Sequence, residues 1–351
     1  MKIVIAILIF SLIIVFHELG HFFFARLTGV EVIEFSLGMG PRLLSRVSRR
    51  SKTRFSWKLL PFGGSCMMKG EDSEDDTQGA FGTKKVWQRL LIVAGGPLFN
   101  FILAFILALI ILMTAGADLP VVAGVTGGYA ADRAGIEPGD TITSIGGTAV
   151  TVYRDISNFI TFRQKQLMTG KKVRVSWEHE GEQKSALLKP QINESGTRYI
   201  IGISGGGRFS LGGNPLKAVK YGLYEVKYWI STTLSSLGMI FQGQVSISEV
   251  SGPVGVVKVI GDTYEQTRSE GALLLFLNML NLSVLLTANL GVMNLLPFPA
   301  LDGGRIVLLL LEAVRRKKID PRIEGMINLA GFACLMLLMA AVLMNDTRKL
   351  F

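Results

Sequence analysis

Four stretches of the chain are long and apolar enough to cross a hydrocarbon core, which takes about 20 residues. The first runs from Ile3 to about Leu27. Ile3 to Phe16 carry no charge, and His17, Glu18 and His21 then interrupt the run before Phe22, Phe23 and Phe24. The second, Pro97 to Ala115, has no charged residue. The third lies between Glu270 and Asp302, 31 uncharged residues punctuated by Asn278, Asn281, Asn289 and Asn294. The fourth lies between Glu324 and Asp346, 21 residues without charge. Between the second and third the period changes. Val121 to Val125 and Thr141 to Ile145 read as strands, the latter closing in a Gly146-Gly147 turn. A helical stretch near Tyr153 to Phe162 and strands near Lys172 to His179 and Ser185 to Lys189 follow. From about Gly212 to Lys258, Pro215 opens a helix whose Ala218, Leu223, Val226, Ile230 and Leu234 form a stripe beside Lys217, Lys220 and Lys227. That stripe suits the membrane surface or packing on the spans. Ser251-Gly252-Pro253 breaks it.

Composition sharpens this picture. Apolar residues make up 49% of the 351 and charged ones 18%, where soluble domains carry about 25% charged. Mean hydropathy is +0.41. A disordered chain, a disulfide-stapled miniprotein and an ordinary soluble enzyme are excluded. The net charge of +10 could mark a nucleic-acid binder, but the basic residues cluster beside the apolar runs, which predicts orientation in a bilayer and no nucleic-acid partner. Eleven lie from Arg42 to Arg89, and a second group comprises Arg305, Arg315, Arg316, Lys317, Lys318 and Arg322. Loops 30–89 and 303–323 are therefore expected in the cytoplasm, with both termini and the middle segment on the other face. The acidic run Glu71, Asp72, Glu74, Asp75, Asp76 weighs little in that rule. No small-residue cleavage site follows the first span, so it reads as retained rather than as a signal peptide. Cys66 in a polar loop and Cys334 in an apolar run are not expected to pair.

The chemistry concentrates in the first span. His17 and His21 are four apart, so on a helix both imidazoles leave one face one turn apart and can meet one ion. Glu18 stands beside them. In an H-E-x-x-H arrangement the two His bind Zn2+ and the Glu is the general base toward the attacking water. Ionisable groups inside a span cost roughly 2.5 to 3.5 kcal/mol each on insertion scales, which argues for a function. A zinc hydrolase keeps three protein ligands, and Asp302 is the best third. It closes the third run in Asn294-Leu295-Leu296-Pro297-Phe298-Pro299-Ala300-Leu301-Asp302-Gly303, where two prolines break a helix at membrane depth. His179, between Glu178 and Glu180, reads as a solvated surface residue.

These motifs resemble those of the site-2 proteases, intramembrane zinc metalloproteases, and within them the bacterial RseP-like group. The likeness covers nearly the whole chain through His17-Glu18-Leu19-Gly20-His21 and Asn294 to Gly303. It implies His17, His21 and Asp302 as ligands, Glu18 as general base, and Asn294 as a group that positions the substrate backbone or the developing oxyanion. Gly96-Pro97-Leu98-Phe99-Asn100 and Ser251-Gly252-Pro253 resemble lesser family features. Phe55 to Lys69, with Pro61, Phe62, Gly63 and Gly64, is similar to a membrane-reentrant β-hairpin that clamps the substrate as an added strand. Ala134 to Asp140 with Ile142, Ile145 and Gly147 resemble a PDZ domain, a module that binds peptide ends at a sheet edge. Only one such domain is found where the best-known RseP-like enzymes have two.

The resulting expectation is a polytopic α-helical membrane protein of about four transmembrane helices, with an inserted α+β PDZ domain and a cytoplasmic reentrant hairpin. Its segments are 1–115 (two spans and the hairpin), 116–205 (PDZ), 206–268 (amphipathic linker) and 269–351 (two spans). The resemblance implies an endopeptidase of a bacterial plasma membrane that cuts single-span proteins, anti-sigma factors or remnant signal peptides. The competing reading is an inactive membrane-anchored PDZ scaffold.

Overall fold

The computed structural model describes residues 2–71, 75, 77–163, 167–205, 207–244 and 252–350. Ser251, Asp72, Glu74 and Asp76 lie outside the described residues, as do the side chains of Pro61 and Phe62. The chain forms two compact units, Met1–Ala108 with Gly243–Phe351, and Leu109–Gln242.

The first unit begins with helix α1 (Lys2–Leu27), whose buried positions Ala6, Ile9, Ile13, His17 and Gly20 fall at steps of three and four. His17 thus continues an apolar seam that faces protein. Strands β1 (Val32–Val47) and β2 (Arg54–Met68) pair antiparallel, joined by a turn in which Ser48 N donates to Thr53 O (2.9 Å). Glu34, Phe35, Ser36 and Leu37 have partners in 54–57 as well as in 64–67. Each long strand is therefore used twice, and β1 bends at Gly38 and Gly40, which have φ of +86° and +87°. The bend is closed by Arg42, whose guanidinium donates to both Glu34 oxygens (2.8 and 2.7 Å) and holds that carboxyl down to about 2. This corrects one expectation: Phe55 to Lys69 is not a hairpin by itself but the second strand of a larger one.

Helix α2 (Val86–Ala115) starts eleven residues before the expected span. Arg89, expected as a loop charge, is buried inside the helix and paired with Glu312 of α8 (Asp302–Arg315). Arg89→Met would leave Glu312 buried without a counter-charge, a loss of about 3–5 kcal/mol that Arg89→Met/Glu312→Leu recovers in large part. Thermal inactivation of the two variants reads it. Helices α1 and α2 approach through glycines, since a Cβ on Gly95 would sit 2.7 Å from Gly20 O.

Helix α6 (Pro253–Thr267) follows α5 (Pro215–Phe241) in the chain and packs on α1, on α7 (Ala272–Asn294) and on α9 (Pro321–Leu350). Asp346 of α9 accepts from Gly252 N (3.1 Å) and Gly255 N (2.9 Å) at its start. Among the described residues four helices are long and apolar enough to cross a membrane: α1, α2, α7 and the 322–348 part of α9. Both cysteines are free.

The second unit is α+β. Its strands are β3 (Val122–Val125), β4 (Thr141–Ile145), β5 (Thr148–Ala149), β6 (Val173–His179), β7 (Glu182–Leu188), β8 (Gln191–Ile192), β9 (Tyr199–Ile200) and β10 (Ile203–Gly205), with helices α3 (Ala130–Arg133), α4 (Tyr153–Phe162) and α5. One sheet has the order β5-β4-β6-β7, and β3 pairs with β10. The core holds Ile136, Ile142, Ile145, Ile156, Val175 and Trp177. His179 is not simply solvated. Its Nδ1 lies 2.7 Å from Oδ1 of the buried Asp140, which ties β6 to the start of β4.

Candidate metal centre and active site

Two helix ends and one helix interior build the site. The α1 face presents His17 and His21 one turn apart, their Nε2 atoms 3.2 Å from each other. The third apolar run folds as α7 and then breaks over 295–301, where Phe298 N donates to Leu296 O (2.7 Å) and Ala300 takes a left-handed φ of +70°. Helix α8 starts directly at Asp302. Gly303 and Gly304 let this turn fold back on α8, because a Cβ on either would run into the backbone of 295–299. The result places Asp302 Oδ2 3.2 Å from His17 Nε2 and 3.6 Å from His21 Nε2.

His17, His21 and Asp302 offer ligand atoms within 4.8 Å of one another, two nitrogens and one oxygen. That donor set suits zinc with one position left for water. The fit shows in the surroundings too. Oδ2 of Asp302 is buried and accepts no hydrogen bond among the described residues, as a ligand oxygen awaiting a cation would. A Cβ on Gly96 of α2 would lie 2.6 Å from His17 Cε1 and closer still to His21 Nε2, so the glycine leaves the space the imidazoles occupy.

The far nitrogens are held as well. His21 Nδ1 donates to Ile92 O (2.9 Å), which frees Nε2 for a metal. The Asn100 carboxamide stands 3.2 Å from His17 Nδ1, and its Oδ1 is buried with no partner among the described residues. Turned by 180°, that amide accepts the Nδ1 proton through Oδ1, which satisfies both atoms and again leaves Nε2 free. Thr287 Oγ1 of α7 donates to Asn100 O (3.2 Å). Sequence reading does not assign Asn100 or Gly96 to the site, although both lie in the noted Gly96 to Asn100 segment.

Glu18 lies beside the ligands, with the Cys66 backbone N–H directed at it from β2. Gly64 of β2 is so near that an added Cβ would be 3.1 Å from Glu18 Cγ. Asn294, the last residue of α7, holds its Nδ2 3.4 Å from His17 Nε2. Gly63 follows the edge with φ +81°. His17, Glu18, His21, Asn294 and Asp302 are thus brought together, and β2 passes Glu18 at Gly64, whereas Gly63 lies against Met39.

Residues 5–338 match the model of Peptidase family M50. The chain belongs to that family. A Clostridium acetobutylicum protein named as a zinc metalloprotease is 39% identical over 345 residues, 98% of this chain and 97% of its own length. The zinc metalloproteases RasP of Shouchella clausii and Geobacillus kaustophilus are 30% and 29% identical, each over 98% of this chain. Those two alignments run over 430 and 428 positions, more than the 351 residues of this chain, so the RasP proteins carry residues with no counterpart here. The PDZ domain of an SdrC-like protein from Listeria monocytogenes is 26% identical over 25% of this chain, with a TM-score of 0.22. This M50 peptidase is thus a zinc metalloprotease that works within a bacterial membrane, and the scaffold reading is not favoured.

Proposed function

We propose that this M50 peptidase cuts single-span membrane proteins near the cytoplasmic face, with His17, His21 and Asp302 as zinc ligands, Glu18 as general base and Asn294 as the oxyanion group. The observation that carries the reading is the convergence of two imidazoles and one otherwise unpaired carboxylate inside the apolar helices. Zinc bound there supplies a Lewis acid that activates water and polarises a carbonyl. Glu18 takes the proton of the attacking water and passes it to the leaving amine. The Asn294 amide donates to the oxygen that gains charge on the scissile carbonyl.

The substrate must be unwound for its amide to reach this point, and the lost hydrogen bonds need replacement. The β2 edge at 63–66 supplies them by accepting the substrate as an added strand. Among the described residues, β2 pairs only with β1, and it passes Glu18 at Gly64 and Cys66. A reentrant position of this sheet is supported by exposed Met39, Leu43, Leu44, Trp57, Leu59 and Leu60 at its far end, an apolar cluster better suited to lipid than to water. With loops 30–89 and 303–323 cytoplasmic, His17 stands about 15 Å from the cytoplasmic end of α1, by the rise of 1.5 Å per residue. The α+β unit, read as a PDZ domain, is then extracytoplasmic and binds peptide ends. Anti-sigma factors and remnant signal peptides are the substrate classes.

The test incubates the purified protein with tagged single-span substrates and reads products by mass. Cleavage inside the span, abolished by chelation and restored by zinc, is expected; products cut outside the span, or cleavage that survives chelation, overturn the reading. Asn294→Ala is expected to lower kcat about 10²–10³-fold with zinc content unchanged.

A further inference from the structure

The outer edge of β2 is closed at one end, and the helix that carries Asp302 holds the closure. In an antiparallel ladder successive N–H groups of a strand point to opposite edges. Lys69 N turns inward, to Glu31 O just before β1 (2.9 Å), whereas Cys66 N turns outward to Glu18. Met68 N lies on that outer side as well, and it donates to Glu71 Oε2 (3.2 Å). A strand added from outside therefore meets a carboxylate at Met68 where it needs a donor.

Glu71 opens the acidic run of the sequence, yet it is not left to solvent. Arg305 Nη1 pairs with Glu71 Oε1 and Nη2 donates to Glu71 O (3.0 Å), so one guanidinium grips the side chain and the backbone of the same residue. The two side chains are 17% and 18% exposed, which shelters the pair from the water that weakens surface ion pairs. Arg305 Nε stands 3.3 Å from Glu324 Oε1 of α9, and the guanidinium lies 4.9 Å from the centre of the buried Phe81 ring. Phe81 N in turn donates to Lys69 O (2.7 Å), on the first residue past β2. Arg305 itself is three residues past Asp302, in the first turn of α8, with its N–H on Leu301 O (3.2 Å). The carboxylate that meets the two histidines and the cation that holds Glu71 thus sit on one helical turn.

We infer that Arg305 is a positioning residue: by holding Glu71 on Met68 N it ends the outer edge of β2 and sets which substrate bond stands at His17, His21 and Asp302. The inference rests on the proposed addition of the substrate to that edge. A strand can slip along an edge by two residues and keep its pairing pattern, and such a slip moves it about 7 Å. That takes one amide away from the histidines and brings another in. With Glu71 in place, a slip toward Met68 sets a substrate carbonyl against a carboxylate, two acceptors with no proton between them. Without it the Met68 N–H is free to pair, and the shifted register gains a hydrogen bond.

The experiment uses the full chain with zinc in lipid vesicles and one tagged single-span substrate, with products read by mass. The parent is expected to make one main cut. Arg305→Met and Glu71→Ala are each expected to keep parental zinc content and to add a second cut two residues away, about a tenth of the product or more. Arg305→Lys still pairs with the Glu71 carboxylate and is expected to lower that second product about twofold or more relative to Arg305→Met. Arg89→Met/Glu312→Leu removes the neighbouring ion pair, whose Arg89 lies 6.0 Å from the same Phe81 ring, and is expected to keep the single cut. A second arm locates the substrate directly. In a Glu18→Gln chain with Cys66 and Cys334 replaced by Ala, a cysteine in place of Met67 is oxidatively cross-linked to single cysteines along the substrate. The substrate position that cross-links best is expected to move by two residues, or to split in two, on Arg305→Met. No cross-link at any position while Arg305 is present removes the edge reading and this inference with it. Cross-links centred on the parental position together with a single cut, in both Arg305→Met and Glu71→Ala, overturn the inference and leave the edge reading standing. A second cut of equal size in Arg89→Met/Glu312→Leu also overturns it, since the effect would then be a general loosening of that end of the molecule.

Discussion

Glu18→Gln in lipid vesicles retains its zinc and cleaves substrate about 10²–10⁴-fold more slowly than the parent, the range a general base supplies. The substitution keeps size and keeps an oxygen that can accept from the Cys66 N–H, so the β2 edge has no reason to move. What is lost is the ability to take a proton. Glu18 stands outside the group of side chains that could hold a metal here, which is His17, His21 and Asp302. Zinc content and rate should therefore separate. Single-turnover cleavage with metal analysis on the same sample checks this. If the variant keeps half the parental rate, the base is another group; if it loses zinc with its rate, Glu18 belongs to the ligand set.

The second large effect is expected at a residue with no functional group. Gly96→Ala puts a methyl 2.6 Å from His17 Cε1 and against His21 Nε2. Neither ring can yield freely. His21 is held by Ile92 O on the same helix as Gly96, and His17 is fixed by the Asn100 amide. The backbones are also close, at Gly20 and Gly95, so the helices cannot separate without losing that contact. The imidazoles must then leave the geometry that meets Asp302. Disturbing the groups that orient ligands typically costs 10–100-fold in metal affinity, and displacement of both ligands is expected at the upper end or beyond. Zinc titration of apo protein measures it, and excess zinc should restore part of the cleavage. Parental zinc affinity in Gly96→Ala would mean that the rings are not held where the structure has them.

Several features are legible in the sequence because they depend on local period. The spacing of His17 and His21, the lengths of the apolar runs, the Gly146-Gly147 turn and the helix at Tyr153–Phe162 each follow from one segment. Other features are not legible there. Arg89 reads as a loop residue because its partner Glu312 is 223 positions away. Phe55 to Lys69 reads as a closed hairpin because its pairing partner precedes it at 32–47. His179 reads as solvated because Asp140 lies far from it in the chain, at the start of another strand.

The sequence by itself determined the chemistry: which residues can hold zinc, which one can act as base, and that they must work inside an apolar helix. Spacing of four on a 3.6-residue period puts His17 and His21 on one helix face. Only the tertiary structure decided the site. Asp302 reaches the two histidines because the 295–301 turn folds back over Gly303 and Gly304, and Asn100 and Gly96 matter because α2 crosses α1 at a pair of glycines. The β2 edge meets Glu18 for the same kind of reason. These are contacts between distant segments set by how helices and a sheet pack, and no local pattern encodes them.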